Sequence, residues 1–495
     1  MNRPGVGFAG RPVVGIAVLL AAVLTALSGR YGFHRDELYF LAAADHLDWG
    51  YVDQPPLTPL LVRISTELFG ATPMGIRVIS TITSALTVVV VALIAREFGA
   101  GRRAQVLAAI CAAVSGFLLG VGHLASTATY DLLAWMVIAL LAIKLLRTGD
   151  GRWWLAIGLA TGIALQNKYL VVLPLAALLI AVLITGPRSV LRTWWLPAGI
   201  AVAALIAAPN LLWQAANDWP QLTVASGISE DDGTENRIMF VPLQILPLSP
   251  FLVPIWVVGF LHLRRSPTLR WARSVALAYP VLCVIVLALG GKSYYALPLL
   301  LVLVAAGCQP VINWLITPRA TARRTVLAVG LVLTAVTSAV FTLPVLPASA
   351  VNVVIPINQE QGEQIGWPEL TAAVAAAWQQ IPEAQRSRAT LFAGNYGQAG
   401  ALRKYGPDHG LPQPYSGHMS FHDWARPADT QDGPVLLVEQ ERQAQYERHF
   451  TNCTQVGTVE NNAGADNEEQ GTALVLCQSP TARWSQTWPN LRRYY

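Results

Sequence analysis

Long apolar runs alternate with short charged clusters along the first 345 residues of the chain. A bilayer has a hydrocarbon core about 30 Å thick, which an α-helix of roughly 20 mostly apolar residues can cross. Eleven runs come close to that length, so the pattern predicts a polytopic α-helical membrane domain over residues 1–345. The predicted spans are Val13–Leu27, Ile76–Ala95, Ala104–Gly122, Leu132–Leu146, Trp153–Leu165, Tyr169–Thr185, Trp194–Trp213, Phe240–Leu261, Ser274–Leu289, Tyr294–Ile312 and Val326–Val345.

The remaining residues, 346–495, are mostly polar, and stretches typical of helices alternate there with stretches typical of strands. Such alternation predicts a small C-terminal α/β domain. The predicted helices are Pro368–Gln380 and Gly397–Tyr405, and the predicted strands are Ala389–Ala393, Pro434–Val438 and Ala473–Cys477.

Composition excludes an ordinary soluble protein. Hydrophobic residues make up 54% of the chain and charged residues only 13%, against about a quarter charged in soluble domains. The net charge is +5, but the basic residues border the apolar runs. We therefore interpret them as topology signals rather than as a nucleic-acid-binding surface, and expect the lipid bilayer, not nucleic acid, as partner.

The basic clusters also predict an orientation. If the N-terminus is cytoplasmic, all of them fall on the cytoplasmic side, as the positive-inside rule requires. Eleven spans then place residues 346–495 outside, which predicts a multi-pass protein of the cell (plasma) membrane with an extracytoplasmic C-terminal domain. The basic residues are Arg3, Arg11, Arg96, Arg102, Arg103, Lys144, Arg147, Arg152, Arg188, Arg192, Arg264, Arg265, Arg270, Arg273, Arg319, Arg323 and Arg324.

The five cysteines fall into two groups. Cys111, Cys283 and Cys308 lie in apolar runs and are typical of small core residues. Cys453 and Cys477 lie in the polar tail. An extracytoplasmic tail is exposed to oxidising conditions, so this pair is a hypothesis for a disulfide bond.

The first outer loop carries the strongest candidate chemistry. Arg35, Asp36 and Glu37 follow the first span directly, between aromatic and apolar neighbours. One interpretation of such a triplet is that its charges are simply solvated at the protein surface. The apolar flanks favour a position at the membrane face instead, where acidic residues are costly and tend to be functional. A carboxylate there can accept a proton from an attacking hydroxyl group.

Two lysines depart from the positive-inside pattern, because both fall at the predicted outer ends of spans. Lysine is a compact charge suited to phosphate, so Lys168 and Lys292 are candidates for anion binding. The alternative is that each only anchors a helix end. Asp131 opens the fourth span on the same side, where it either belongs to the site or complements the helix dipole.

The tail offers weaker signals. His418 and His422 are four residues apart with Asp423 beside them, but no third zinc ligand is evident and a polar loop is favoured. The segment Asn395–Gly400 lacks the spacing of a dinucleotide-binding loop.

Several of these segments together resemble one family. The stretches His34–Phe40 and Gly50–Pro56 resemble the first outer loop of bacterial membrane glycosyltransferases of the GT-C fold, in particular the glycosyltransferase family 39, or protein-mannosyltransferase-like, proteins. The aminoarabinose transferases of lipid A are a more distant comparison. The resemblance continues through Asp131, Asn167–Tyr169, Gly291–Pro298, Asn395–Gly400 and Tyr415–His418.

The resemblance implies a hexosyl- or pentosyltransferase that uses a polyprenyl-phosphate sugar, with the lipid in a groove between spans. The acceptor would be an envelope lipid, polysaccharide or protein. Asp36 would be the catalytic base and Glu37 would orient acceptor or sugar. The implied substrate-binding residues are His34, Arg35, Asp53, Gln54, Asp131, Lys168, Lys292, Tyr294, Tyr295 and His418, the lysines and tyrosines holding the phosphate.

Two points stay open. Some GT-C enzymes need a divalent metal and others need none, and no ligand spacing here decides between them, so no metal ligand is assigned. A non-enzymatic transporter or flippase of a lipid-linked sugar would use the same groove and lysines. The acidic pair Asp36 and Glu37 and the large external domain favour the enzyme.

Overall fold

The computed structural model describes residues 7–316, 320–439 and 442–495. Arg3 and Arg319, which belong to the predicted cytoplasmic groups, lie outside the described residues. The first part of the chain is helical. Its helices are α1 (Gly10–Leu27), α2 (Arg35–Asp45), α3 (Leu57–Phe69), α4 (Pro73–Glu97), α5 (Arg102–Val114), α6 (Gly116–His123), α7 (Thr127–Thr148), α8 (Trp153–Leu165), α9 (Val172–Thr185), α10 (Trp195–Ala216), α11 (Pro220–Asp231), α12 (Gly233–Ile238), α13 (Pro242–Ile245), α14 (Val253–Arg265), α15 (Arg273–Leu289), α16 (Leu297–Trp314) and α17 (Ala320–Thr342).

Within the described residues, seven helical segments are long and apolar enough to cross a membrane, and the bent pair α5–α6 makes an eighth. These eight coincide with eight of the eleven predicted spans, so the protein is a multi-pass membrane protein. Two further predicted spans, Trp153–Leu165 and Tyr169–Thr185, are apolar helices shorter than a full crossing.

The predicted span Phe240–Leu261 is interrupted. Helix α13 ends at Ile245, and α14 begins only at Val253. Prolines at 242, 247, 250 and 254 fall in this stretch, and Ser249 between two of them has a φ of 105°. Proline lacks an amide N–H and disfavours helix at the residue before it, so mean hydropathy alone overstated this segment.

The first outer loop is folded rather than extended, because it contains α2 and α3. Helix α3 exposes one row of apolar side chains, Leu60, Ile64 and Leu68, at helical spacing. A helix with such a face lies along an apolar boundary instead of standing in water. The charged triplet therefore begins a helix.

The tail folds around a four-stranded sheet. Across the sheet, its strands are β1 (Thr390–Ala393), β2 (Val435–Val438), β5 (Ala473–Cys477) and β4 (Thr454–Thr458). Strand β1 is parallel to β2, and β5 is antiparallel to both β2 and β4. The sheet and its helices confirm the predicted small α/β architecture, while strand β4, polar and largely exposed, was missed. The elements are α18 (Trp367–Trp378), α19 (Glu383–Arg386), β1 (Thr390–Ala393), α20 (Tyr396–Tyr405), α21 (Phe421–Trp424), β2 (Val435–Val438), α22 (Gln443–Glu447), β3 (Phe450–Thr451), β4 (Thr454–Thr458), β5 (Ala473–Cys477), β6 (Ser479–Pro480) and α23 (Trp484–Thr487).

One hydrophobic core joins the tail to α2. Leu38 and Phe40 of α2 share it with Trp367 and Leu391 of the tail. Gly400 brings α20 against α2, because a Cβ at that position would lie 2.8 Å from the backbone carbon of Leu38. The division of the chain at residue 345 stays a prediction, since this shared core crosses it.

Cys453 and Cys477 form the disulfide bond that their location led us to consider. The bond links the segment before β4 to the end of β5, across a separation of 24 residues. A loop of this size contributes about 3 kcal/mol in the chain-entropy description.

We expect the double variant Cys453→Ser/Cys477→Ser to lose about 3 kcal/mol of tail stability, because its unfolded tail gains chain entropy. Thermal unfolding of the purified protein with and without reductant measures this loss. Reductant should lower the unfolding temperature of the wild type and leave the variant unchanged. Equal sensitivity of the two proteins would contradict the prediction.

Candidate functional site

The first turn of α2 is fixed by a reciprocal pair of capping bonds. The Nδ1 atom of His34 accepts a hydrogen bond from the backbone N–H of Asp36 at 3.1 Å. In return, Oε2 of Glu37 accepts from the N–H of His34 at 2.9 Å. A capping box of this kind satisfies two helix-end donors and sets the entry of the chain. It holds Asp36 in one orientation at the helix start.

Glu37 points into the protein, where its carboxylate is fully occupied. Arg77 of α4 donates from Nε and Nη2 to its two oxygens at 2.8 and 2.7 Å. The N–H of Ala125 also donates to Oε1 at 2.9 Å. Both side chains of the Glu37–Arg77 pair are 0% exposed. The pair thus joins α2 to α4 and to the segment before α7. The sequence analysis did not single out Arg77.

Asp36 faces the other way and remains 39% exposed. Its Oδ1 accepts a hydrogen bond from the hydroxyl group of Tyr396 at 2.8 Å, and Nε of Arg35 lies 3.9 Å away. Arg35 also pairs with Glu468. The tail therefore contributes directly to the surroundings of Asp36 through Tyr396, a residue of the segment Asn395–Gly400 that the sequence analysis noted without assigning Tyr396 a role.

A second polar group gathers at the ends of the spans that the sequence predicts to be outer. Asn167 donates from Nδ2 to Oδ1 of Asp131 at 2.8 Å, and Thr58 donates to Oδ1 of Asn167 at 2.6 Å. The next residue, Lys168, lies with its Nζ 6.0 Å from the ring centroid of Tyr295. The structure thus brings Asp131, Lys168 and Tyr295 together from three separate segments.

Tyr294 and Tyr295 adjoin each other edge to face, with ring centroids 4.8 Å apart. They follow Lys292 in the turn that leads into α16. Lys168 thus lies beside the two adjoining tyrosines, and a cation with neighbouring hydroxyl groups is suited to an anionic group.

Asp53 lies between the two groups. Its Oδ1 accepts from the hydroxyl group of Tyr39 at 2.5 Å, and Tyr39 also contacts Ser420 of the tail at 3.0 Å. Burial raises the pKa of Asp53 to about 6, the hydrogen bond from Tyr39 opposing it. The charge of Asp36 raises that pKa further and the charge of Lys168 lowers it. Asp36, Asp53 and Lys168 therefore lie near one another, and we call the region that they border the cleft.

Two predicted residues sit behind the cleft surface. Gln54 is 1% exposed, and its side-chain amide has no hydrogen-bond partner within the described residues. His418 is 4% exposed and accepts from the N–H of Tyr396 at 3.3 Å. Because it contacts Tyr396, His418 supports the position of that residue.

Glu360 is a further residue that the sequence analysis missed. Its Oε2 lies 2.8 Å from Nε2 of His34, although 326 residues separate the two along the chain. Partial desolvation raises the pKa of Glu360, whose side chain stays 58% exposed, but the bond from His34 and the charges of Arg35 and Lys292 prevail and hold that pKa at about 2. Its polar segment, Gln359–Gln364, carries no sequence signal that marks it as part of a site.

The pair His422 and Asp423 is engaged elsewhere. The ring of His422 stacks on Trp488 at 5.1 Å, and Arg492 binds Asp423 at 2.8 Å. Over residues 7–316, 320–439 and 442–495, no group of three or more His, Cys, Asp or Glu side chains is arranged to hold a metal ion.

An apolar groove lies among the spans. Its walls come from α7, α9, α15 and α16, among them Trp135, Ile143 and Leu175. Val171 and Leu299, which also line it, follow Lys168 and Tyr295 by three and four residues. The groove and the polar group are therefore built from the same chain segments.

Comparison with known proteins agrees with this architecture. Residues 53–213 match the family model described as dolichyl-phosphate-mannose-protein mannosyltransferase. Comparison with curated proteins returned no match.

Three solved structures share the fold. ArnT from Cupriavidus metallidurans, solved bound to undecaprenyl phosphate, is 16% identical with a TM-score of 0.59, covering 94% of this chain and 97% of ArnT. AglB from Archaeoglobus fulgidus, an oligosaccharyltransferase, is 12% identical with a TM-score of 0.53, covering 95% and 76%. The arabinofuranosyltransferase AftD from Mycobacteria is 13% identical with a TM-score of 0.52, covering 97% and 42%.

The chain therefore has the GT-C fold of membrane glycosyltransferases, as its sequence predicted. Within that fold it is related to the structure of the aminoarabinose transferase ArnT along almost the whole length of both chains.

We expect Tyr396→Phe to lower turnover about tenfold while leaving donor affinity within about twofold, because it removes one hydrogen bond to a charged acceptor. The ring and its packing against His418 are retained. Steady-state kinetics of purified protein separate kcat from KM. A matched control is Tyr405→Phe at the other end of α20. A tenfold loss in the control as well would contradict a specific role for the Tyr396 hydroxyl group.

Proposed function

We propose that this protein is a membrane glycosyltransferase that moves a sugar from a polyprenyl-phosphate donor to a hydroxyl group of a cell-envelope acceptor at the outer face of the membrane. One observation carries the proposal: the partly exposed carboxylate Asp36 and the cation Lys168 both lie near enough to Asp53 for their charges to act on it, and the chain segments of Lys168 and Tyr295 continue into an apolar groove. These are the three elements that the reaction needs.

The groove supports a lipid carrier as the donor. A polyprenyl chain stays in the bilayer, so an enzyme that acts on it gains from a lateral apolar channel that ends at a polar site. ArnT was solved with undecaprenyl phosphate and AglB with a dolichol-phosphate. We extend that ligand class, a polyprenyl phosphate, to the groove of this chain.

The reaction follows from the placement of charge. The acceptor hydroxyl group gives its proton to the Asp36 carboxylate and forms a new bond to the anomeric carbon. The bond from that carbon to the phosphate oxygen breaks on the opposite face, so the configuration inverts and polyprenyl phosphate leaves with the electron pair. Lys168 and Lys292, with Tyr294 and Tyr295, stabilise the negative charge that develops there.

The neighbouring residues take supporting roles. Glu37 does not reach the substrate in this proposal. It positions Asp36 through the Arg77 pair and the capping bond to His34. Arg35 neutralises acidic neighbours, and His418 holds Tyr396 in place.

Three further residues surround the space between the proposed base and the phosphate, namely Asp53, Gln54 and Asp131. Asp131 fixes Asn167 and, through it, the neighbouring Lys168. Asp53 links the cleft to the tail by way of Tyr39. The positive-inside pattern supports an extracytoplasmic face for all of these groups and the cell membrane as the location.

The test is sugar transfer by the purified protein in nanodiscs. Radiolabelled polyprenyl-phosphate sugars are incubated with extracted envelope material and with wild type, Lys168→Met or the control Lys144→Met. Lys144 lies near the C-terminal end of α7. We expect label to move from the lipid phase into a new product, and Lys168→Met to reduce the rate about 10²- to 10³-fold. Label that stays on lipid for every donor, with intact binding, would favour the flippase.

A further inference from the structure

We propose that Glu360 binds hydroxyl groups of the sugar being transferred and selects against acidic sugars, a role that rests on the proposed function. The residue belongs to the short segment Gln359–Gln364 that connects the last membrane helix to the tail. No sequence motif or resemblance pointed to it. The argument starts from how its carboxylate is held.

Glu360 is tied to the helix that carries Asp36. Because Nδ1 of His34 accepts the capping bond from Asp36, the imidazole proton lies on Nε2. That Nε2–H donates to Oε2 of Glu360 at 2.8 Å. His34 is only 3% exposed, so it is a rigid support. One buried residue thus sets the positions of both carboxylates.

The carboxylate of Glu360 is only partly used by the protein. Its side chain remains 58% exposed, although the imidazole that binds it is almost fully buried. Within the described residues, Oε1 of Glu360 receives no hydrogen bond. An ionised carboxylate with one anchored and one open oxygen is a ready acceptor for hydroxyl groups, which is how proteins commonly bind sugars.

Glu360 lies near both halves of the proposed reaction. His34 joins it to the helix start that carries Asp36, because its Nδ1 accepts from the N–H of Asp36 and its Nε2 lies 2.8 Å from Oε2 of Glu360. The positive charges of Arg35 and Lys292 also act on the Glu360 carboxylate. Between a base that activates the acceptor and a cation that holds the phosphate lies the donor sugar. Its hydroxyl groups are therefore the occupant that fits.

A fixed negative charge at Glu360 also implies that the site selects among donor sugars by their charge. Neutral sugars can donate hydroxyl protons to Glu360, whereas the carboxylate of a uronic acid would be repelled. Specificity of this kind needs a repulsive element as well as an attractive one. The donor class that follows is a polyprenyl phosphate that carries a sugar without an acidic group.

The experiment compares binding of four probes to protein in nanodiscs by native mass spectrometry. The probes are undecaprenyl phosphate without sugar and its mannosyl, galactosyl and glucuronosyl derivatives. Proteins are wild type, Glu360→Gln, Glu360→Asp and the control Glu369→Gln, an exposed tail carboxylate that contacts Asn462. Thermal unfolding checks that each is folded, and label transfer is measured on the same preparations.

We expect wild type and Glu369→Gln to bind at least one neutral sugar lipid more tightly than bare undecaprenyl phosphate. Glu360→Gln should bind the bare lipid within about twofold of wild type but lose roughly 10- to 100-fold in affinity for that sugar lipid. It should also gain affinity for the glucuronosyl probe. Glu360→Asp keeps the charge, so it should still reject that probe even if Glu360→Gln is unstable.

Loss of affinity for bare and sugar-bearing lipid alike, or an unchanged sugar preference, would overturn the role of Glu360. Failure of the proposed function has a different signature. A wild-type protein that prefers the sugar lipid through Glu360 but transfers nothing would support the binding site and overturn the transferase.

Discussion

Asp36→Asn is expected to abolish measurable sugar transfer, with a loss of at least about 10³-fold, since a positioned general base contributes 10²- to 10⁴-fold. An asparagine side chain cannot take the acceptor's proton. Its amide oxygen can still accept the hydrogen bond that Tyr396 donates to Asp36. The substitution therefore changes the chemistry of the site with little change in its packing.

Donor binding and folding should survive this change. The measurement is single-turnover transfer with binding of the donor followed in parallel. Asp45→Asn is a matched control, because Asp45 ends the same helix and, among the described residues, forms ion pairs with the partly exposed Arg63 and Arg403. Retention of more than a tenth of the wild-type rate by Asp36→Asn would remove it as the base and direct attention to Asp53.

Arg77→Met is expected to be the most destabilising single change in the membrane part, at about 3–5 kcal/mol, because it leaves the Glu37 carboxylate buried without its cation. Arg77 also donates to the carbonyl oxygens of Ser28 and Gly32, so three chain segments lose a common anchor. A lower unfolding temperature in detergent, with loss of transfer, is the expected result.

The control is Arg63→Met, whose arginine is 42% exposed and pairs with Asp45 and Glu67. Such surface pairs contribute about 0–1 kcal/mol, so its unfolding temperature should change little. The double variant Arg77→Met/Glu37→Gln removes the buried charge and should recover part of the lost stability. An Arg77→Met protein as stable as the Arg63→Met control would show that the buried pair is not a structural anchor.

The membrane architecture was accessible from sequence because length and apolarity alone decide which segments can cross a bilayer. The same measure failed between Phe240 and Leu261, where prolines break the helix without making the segment polar. In the tail, buried strands such as Val435–Val438 were visible as apolar runs. The edge strand Thr454–Thr458 was not, because its exposed polar residues carry no such pattern.

The candidate site shows a similar division. Asp36, Asp131 and Lys168 were noticed because each is a charge in an apolar setting or on an unexpected side. Arg77, which holds Glu37, and Glu360, which contacts His34, lie in unremarkable local sequence, and only the folded chain brings them near Asp36. A contact between residues hundreds of positions apart leaves no local signature in a single sequence. Glu37, which the resemblance implies to orient acceptor or sugar, lies fully buried against Arg77 in the structure.

The bond between Tyr396 and Asp36 joins residues 360 positions apart, which has a consequence for biogenesis. At about 5–20 residues per second, roughly 20 to 70 s pass between their synthesis. The helices that line the groove are synthesised within that interval, before Tyr396 and the rest of the tail. Asp36 therefore gains its hydrogen bond from the tail only after the membrane helices have been made.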